Sequence, residues 1–579
     1  MRCETAGSLL IMFQEAFIVD NSILYEDNVV DFFVRKGAYY ERYILEHPGL
    51  ITSHTVNDTH IICYSTLEGY QEITEYLGAR QGLPNVLGLL GRAELEASGI
   101  IQIQQQPYLD LKGQGVLLGF VDTGIDYTQK VFQNSDGTSK IQFIYDQSIP
   151  GTPPDGFPIG TEYTNAQINA ALASQTPLTV LPHTDEAGHG TFLASVAAGS
   201  HDGDFIGAAP NADIIMVKLK DAYPFMREYL FVPEEQKHAF EATSVMLGVE
   251  YIIRKARELN RPVIICIALG SNYDSHDGSS PLEDYLFTIS NIPGVCICVA
   301  AGNESQAKHH YYNHFSRERT PENIDIQVGK NAGNILVIIT NNMSDVISVS
   351  VRSPTGELVR RVPAKPQLTQ VTKLILEEAE VSVSYRFPVS SSGDQVTFVR
   401  IRNATPGLWT ITAYGDFIID GSIRAWLPIT GFVSPNVEFL SSTPYNTITF
   451  PATGLGPICC GAYNSVRNIL YPLSSWGPTR IQNDIPDLLA PGYQIGGIYP
   501  NGFGYMSGTS CAAAITAGAC ALMLQWAIVK GNDFGFCTPV IRAYLIRGCN
   551  RNELMIYPNN QWGYGMLNLT RSFYYMREL

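Results

Sequence analysis

The sequence predicts an α/β protein: a parallel sheet with helices on both faces, preceded by a small α+β unit and interrupted by a β-sandwich. Three observations predict it. Four runs that are almost continuously apolar, at 115–122, 213–218, 262–268 and 294–300, each lead into small-residue or Gly-rich turns. Strands of that kind are buried on both faces, as in a parallel sheet covered by crossover helices. Between about 325 and 450 the helical period disappears and short alternating runs take over, as in a sandwich of antiparallel strands. At 579 residues the chain is also several times the usual domain of about 150. Two or three domains are therefore expected.

Taken in order, residues 1–96 alternate short apolar runs (Phe17 to Val19, Ile61 to Tyr64, Val86 to Leu90) with a polar helical stretch at Gly69 to Gln81. Residues 97–324 contain the four apolar strands, with helices expected at Phe192 to Gly199 and Ala239 to Leu259. Residues 325–453 hold the alternating runs 335–340, 346–352, 395–401 and 409–414, separated by turns such as Ser-Pro-Thr-Gly at 353–356. From 454 to 579 the Gly-rich α/β character returns, so the sandwich reads as an insert in one larger domain.

Composition narrows the partners. A net charge of −17 with no basic stripe argues against nucleic acid. The eleven cysteines sit mostly inside apolar runs and read as reduced core thiols, and Cys296 and Cys298 have no partner pair at zinc spacing along the chain. No metal or cofactor is expected. The only N-terminal apolar run, Leu9 to Phe13, has acidic neighbours and no small-residue cleavage site, and no other run is expected to reach the eighteen or so residues of a bilayer span. The expectation is a reducing compartment, cytoplasmic or spore-associated, with neither secretory signal nor membrane.

Three segments place one reactive residue each where a parallel sheet exposes its working edge. Asp122 ends an apolar strand in Phe-Val-Asp-Thr-Gly-Ile-Asp at 120–126. His189 stands between glycines just before a small-residue helix, and Ser510 lies in Met-Ser-Gly-Thr-Ser-Cys-Ala-Ala-Ala at 506–514, at the first turn of another. A serine hydroxyl is a weak nucleophile near neutrality. It needs an imidazole to take its proton, and the imidazole needs a carboxylate to orient it. A tetrahedral intermediate needs hydrogen-bond donors aimed at its oxyanion; Asn303, just after the strand ending at Ala300, and the Ser510 N–H are the candidates. Alone, Asp-Thr-Gly also reads as a strand-end turn, Gly-His-Gly-Thr as a loop, Gly-Thr-Ser as a helix N-cap and Asn303 as a turn residue. Their joint occurrence in one chain favours chemistry.

With these motifs the sequence resembles the subtilisin-like serine proteases. Gly-Ala-Ala-Pro-Asn-Ala-Asp at 207–213, Ser-Ser-Trp-Gly-Pro at 474–478 and Leu-Ala-Pro-Gly at 489–492 extend the likeness over roughly 98–320 and 455–570. The resemblance implies that Ala268, Leu269 and Gly270, with Ala300, Ala301 and Gly302, pair with a substrate backbone and line the first specificity pocket. It further implies a peptide or protein substrate and an N-terminal unit, residues 1–96, that acts as a propeptide and stays docked after self-cleavage. An insert between the oxyanion residue and the serine resembles most the Csp-type germination proteases of spore-forming bacteria. Cys511 stands where that family usually has methionine, and Ala514 and Ile515 where it has Pro-His, positions that bear on packing behind the serine. The rival expectation is a catalytically silent binding or signalling scaffold; an esterase is a third.

Overall fold

The computed structural model describes residues 21–577 apart from 39, 78–81, 85, 90–95, 204, 317–319, 367 and 390–391. The expected strand Phe17 to Val19 and the end of the run at Leu90 lie outside the described residues. Strands Val29–Arg35, His60–Thr66 and Leu50–Thr55 form an antiparallel sheet with the middle one in sequence at its edge. Helix Leu67–Leu77 covers it, beginning two residues earlier than the sequence suggested. Its buried residues, Tyr70 and Ile73, pack on Phe32, Val34 and Cys63.

Among the described residues the central sheet has nine strands. From one edge it runs Ile469–Leu470, Ile458–Asn464, Val295–Ala300, Val263–Ile267, Leu117–Asp122, Asp213–Lys218, Ile141–Asp146 and Thr161–Thr164, with Leu488–Pro491 also pairing Ile458–Asn464. All pairings are parallel except those of the two short strands Ile469–Leu470 and Thr161–Thr164. Alternation within each strand feeds two cores. Leu118 and Phe120 face helices His189–Ala198 and Thr509–Leu524, whereas Leu117 and Val121 face helices Ala242–Glu258 and Pro281–Ser290. That two-sided burial is why the strands lack polar alternation, and each fully buried Leu, Ile or Met contributes about 1.5–3 kcal/mol.

Helix Ala242–Glu258 starts later than the sequence predicted, because Phe240 and Glu241 are drawn out into a two-residue strand. The segment Thr509–Val529 meets the length and hydropathy of a membrane span, contrary to expectation, but 83% of that window is buried inside the fold. It is the central core helix. Its alanines at 512, 513, 514, 517, 519 and 521, together with Cys511 and Ile515, are all fully buried, so small side chains let the sheet approach closely.

The insert is a sandwich of a six-stranded and a five-stranded sheet, both antiparallel, closed around Trp409, Val337, Val349, Val381 and Ile411. Its strands run from His310–His314 to Val437–Phe439. It therefore begins before the expected boundary at 325, through His310–His314, an edge strand too polar to signal itself, and Glu322–Val328, which lies between Gly407–Phe417 and Val437–Phe439.

None of the ten described cysteines is in a disulfide, and all but Cys537 are buried. Spacing along the chain offers Cys296 and Cys298 no third sulfur, yet the fold does: Cys520 of the core helix comes within 4.8 Å of both.

Candidate active site

Asp122 is the last residue of the strand Leu117–Asp122 and is 2% exposed. Its carboxylate meets His189 Nδ1 through Oδ1 at 2.8 Å and Oδ2 at 3.0 Å. His189 opens the helix His189–Ala198, and Gly188 before it has φ +74°, a left-handed turn that glycine accepts without cost. Gly190 after it is needed for space: a Cβ there would overlap the Gly124 carbonyl and lie 3.2 Å from both Asp122 Cβ and Oδ1. The two glycines thus aim the ring and let it close on the carboxylate.

Ser510 is the second residue of the helix Thr509–Leu524 and is fully buried. Its Oγ donates to the Ala268 carbonyl at 3.3 Å. At a helix start, unpaired N–H groups and the dipole favour negative charge. Thr509, just before it, ties the serine turn to the oxyanion candidate. Its N–H donates to Asn303 Oδ1 at 3.1 Å, and its Oγ1 accepts from Gly302 N at 3.0 Å. With Oδ1 held in this way, the NH₂ end of Asn303 is the one left to serve as donor. The histidine helix packs directly on the serine helix. The fold therefore joins Asp122 to His189, Ser510 to Ala268, and its neighbour Thr509 to Gly302 and Asn303.

The cleft beside this edge is filled. Val86–Leu89, the strand leaving the N-terminal unit, pairs antiparallel with Leu269–Gly270 on one side, Leu269 opposite Leu89 and Gly270 opposite Gly88. On the other side it pairs with Phe240–Glu241, with Val86 opposite Glu241 and Leu87 opposite Phe240. Leu269 and Gly270 thus carry an added strand from the chain's own N-terminal unit. Phe240–Glu241, the opposite wall, was missed, since two residues are too few for a periodicity signal. Ala300 ends its strand, and Ala301 and Gly302 continue beside the segment returning from the insert, where Thr449 N donates to Ala301 O at 2.9 Å.

Under the docked unit lies a buried acidic pair. Glu241 is fully buried, and burial first, then the neighbouring Asp31 carboxyl, push its carboxyl well above the ordinary carboxylate range. Asp31, of strand Val29–Arg35, is 1% exposed and receives the Thr243 hydroxyl.

Residues 113–565 match the model of the subtilase family. The solved structure of the Clostridium perfringens CspB protease is 31% identical with a TM-score of 0.74, covering 83% of this chain and 98% of that one. Two curated relatives from Arabidopsis thaliana align over short stretches. Subtilisin-like protease SBT2.4 is 35% identical over 114 residues and SBT2.2 is 32% identical over 128. The aligned stretches span 17% and 18% of this chain and only 14% and 15% of those proteins. With the family match running through the sheet and the segments that carry Asp122, His189 and Ser510, the chain belongs to the subtilase family of serine-type endopeptidases.

Proposed function

We propose that this chain hydrolyses peptide bonds with Asp122, His189 and Ser510 as a triad, and that its first substrate is its own N-terminal unit. Ser510 Oγ attacks the scissile carbonyl while His189 takes the hydroxyl proton. Asp122, bonded to Nδ1, fixes the tautomer and stabilises the imidazolium. Asn303 and the Ser510 N–H donate to the oxyanion, each worth about 3 kcal/mol, a figure that comes from subtilisins. His189 then gives its proton to the leaving amine, and water reverses the sequence to release the acyl group.

The observation that carries this reading is the strand Val86–Leu89. Its register runs from Gly270 to Leu269 and so toward Ala268, whose carbonyl accepts the Ser510 hydroxyl. A chain pointed at the nucleophile in that way supports a cut in 90–98 and a unit that stays docked. Intact-mass and N-terminal analysis of the purified protein should give two fragments, and Ser510→Ala a single uncut chain. Identical processing of Ser510→Ala expressed alone refutes self-cleavage.

We propose that the activity serves spore germination, in the cytoplasm or the spore, on a protein substrate, a reading supported by the resemblance to the Csp-type proteases. The filled cleft also favours a second reading, a silent scaffold blocked by its own strand. Removing residues 1–96 separates the two: peptide hydrolysis appears if the first is right and stays absent if the second is.

A further inference from the structure

The carboxylate of Asp185 has no part in the triad as described, yet four donors converge on it. It is 4% exposed and lies in the loop just before the histidine helix. Oδ1 accepts the Thr123 hydroxyl at 2.7 Å and the Gly188 N–H at 2.9 Å. Oδ2 accepts the Thr191 N–H at 2.8 Å and the Thr191 hydroxyl at 2.6 Å. Gly188 precedes His189 and Thr191 follows it by two, so this one side chain grips both sides of the imidazole-bearing turn. Thr123 adjoins Asp122.

The Thr123 hydroxyl decides what this grip does. Its Oγ1 accepts from Gly190 N at 3.0 Å, and its single proton has two acceptors in reach: Asp185 Oδ1 at 2.7 Å and Asp122 Oδ1 at 3.2 Å. Asp185, the nearer acceptor, takes the proton. That leaves Asp122 Oδ1 with only the backbone N–H of Thr123, at 2.8 Å, besides His189, so its charge stays directed at the ring. We propose that Asp185, acting through Thr123, is a positioning residue for the His189–Asp122 pair, orienting the ring and keeping Asp122 a strong acceptor for it.

Other groups face this centre. Lys218, on the neighbouring strand, donates to Thr184 O at 2.8 Å, and His183 pairs with Asp146 at 2.6 Å while accepting from Ile125 N at 3.2 Å. Cys266 lies beside Asp122 on the next strand, its thiol pushed up by burial and then by that carboxylate. None of these groups bonds to Asp185 among the described residues. In Asp185→Asn the amide presents no full charge, and the Thr123 proton is free to turn to Asp122. Both changes weaken the hold on the imidazolium, so the acid limb of activity should move to lower pH.

This inference rests on the triad reading, and the experiment keeps the two apart. The full chain and its variants are labelled with a fluorophosphonate probe across pH. Asp185→Asn should label at least tenfold more slowly, with the acid limb lowered by about half a pH unit or more. Thr123→Val should behave alike, and Thr123→Ser, which keeps the hydroxyl, should recover to within about threefold of the parent. Ser510→Ala should not label; labelling at the parent rate there overturns the triad itself. A silent Ser510→Ala beside an Asp185→Asn whose acid limb stays in place, whatever its rate, overturns the positioning role alone. If Asp185→Asn fails to fold, the Thr123→Val and Thr123→Ser pair decides by the same criteria.

Discussion

Gly190→Ala isolates geometry from chemistry at the candidate site, because it adds one methyl and replaces no ionisable group. The methyl would be driven well inside contact with the Gly124 carbonyl and would sit 3.2 Å from Asp122 Cβ and Oδ1. Gly124 belongs to backbone that cannot rotate away, so the histidine turn and the aspartate strand must separate by about 1 Å. Overpacking of this size costs about 1–3 kcal/mol of stability, which a chain of this size survives. The His189–Asp122 contacts at 2.8 and 3.0 Å do not survive it. A misplacement of about 1 Å at a reacting centre lowers the rate on the order of 10²-fold. The assay compares kcat for peptide hydrolysis after removal of residues 1–96 with the thermal unfolding midpoint of the same samples. A folded Gly190→Ala variant that keeps the parent's kcat refutes the argument that the flanking glycine sets the imidazole–carboxylate distance.

Asp31→Asn tests the acidic pair beneath the docked unit. Burial first, and then Asp31, raise the Glu241 pKa above its unfolded value, so its contribution to stability is complete below the ordinary carboxylate range and is lost as pH rises through the raised value. The thermal midpoint of the parent should fall as pH rises through that window, and Asp31→Asn, lacking the like charge, should fall less. Equal slopes contradict the pairing. Arg480→Met tests how the insert is fastened. Arg480 bridges Asp277, in the loop after the cleft strand, at 2.7 Å and Asp394 of the insert, all three nearly buried. Burial alone would raise the Asp277 carboxyl, but the guanidinium outweighs it and holds it below the ordinary value. Leaving two buried carboxylates unpaired should cost about 3–5 kcal/mol in chemical denaturation; a loss below 1 kcal/mol shows that other contacts carry the junction.

The parts of this fold legible in the sequence are those where one physical demand acts on several consecutive residues. Leu117–Asp122 and Val295–Ala300 are apolar throughout because both faces are buried, and Thr509–Leu524 is alanine-rich because the sheet lies close beneath it. Gly188-His189-Gly190 was legible for a similar reason, since two separate steric demands converge on one ring. What was not legible depends on partners distant in the chain. Phe240 and Glu241 are extended because Val86 and Leu87 lie beside them, and nothing in their own neighbourhood signals it. Asp185 acts through Thr123, 62 residues earlier, and reads locally as one acid among several polar residues. Cys520 reaches Cys298 from 222 residues away, at 3.9 Å between sulfurs.

The placing of the insert follows from the same distinction between local and distant demands. Asn303 and Ser510 lie 207 residues apart, and the intervening sandwich has a core of its own, so it could have separated them. It does not, because its two ends return to one place. Ala301 stands just before the departure, and Thr449, on the return, donates to its carbonyl at 2.9 Å. Phe450 continues the return by exchanging N–H···O bonds of 3.0 Å with Ser271, next to the cleft strand Leu269–Gly270. On the outgoing side Glu304 is held at both oxygens, by His309 at 2.8 Å and Thr430 N at 3.0 Å, and this fixes the chain one residue beyond Asn303. Closing a long loop between points already joined costs only a slowly rising entropy, about 0.6 kcal/mol for each doubling of length. A domain can therefore be accommodated between Asn303 and Ser510 while the Asn303 Oδ1 to Thr509 N bond, at 3.1 Å, is kept.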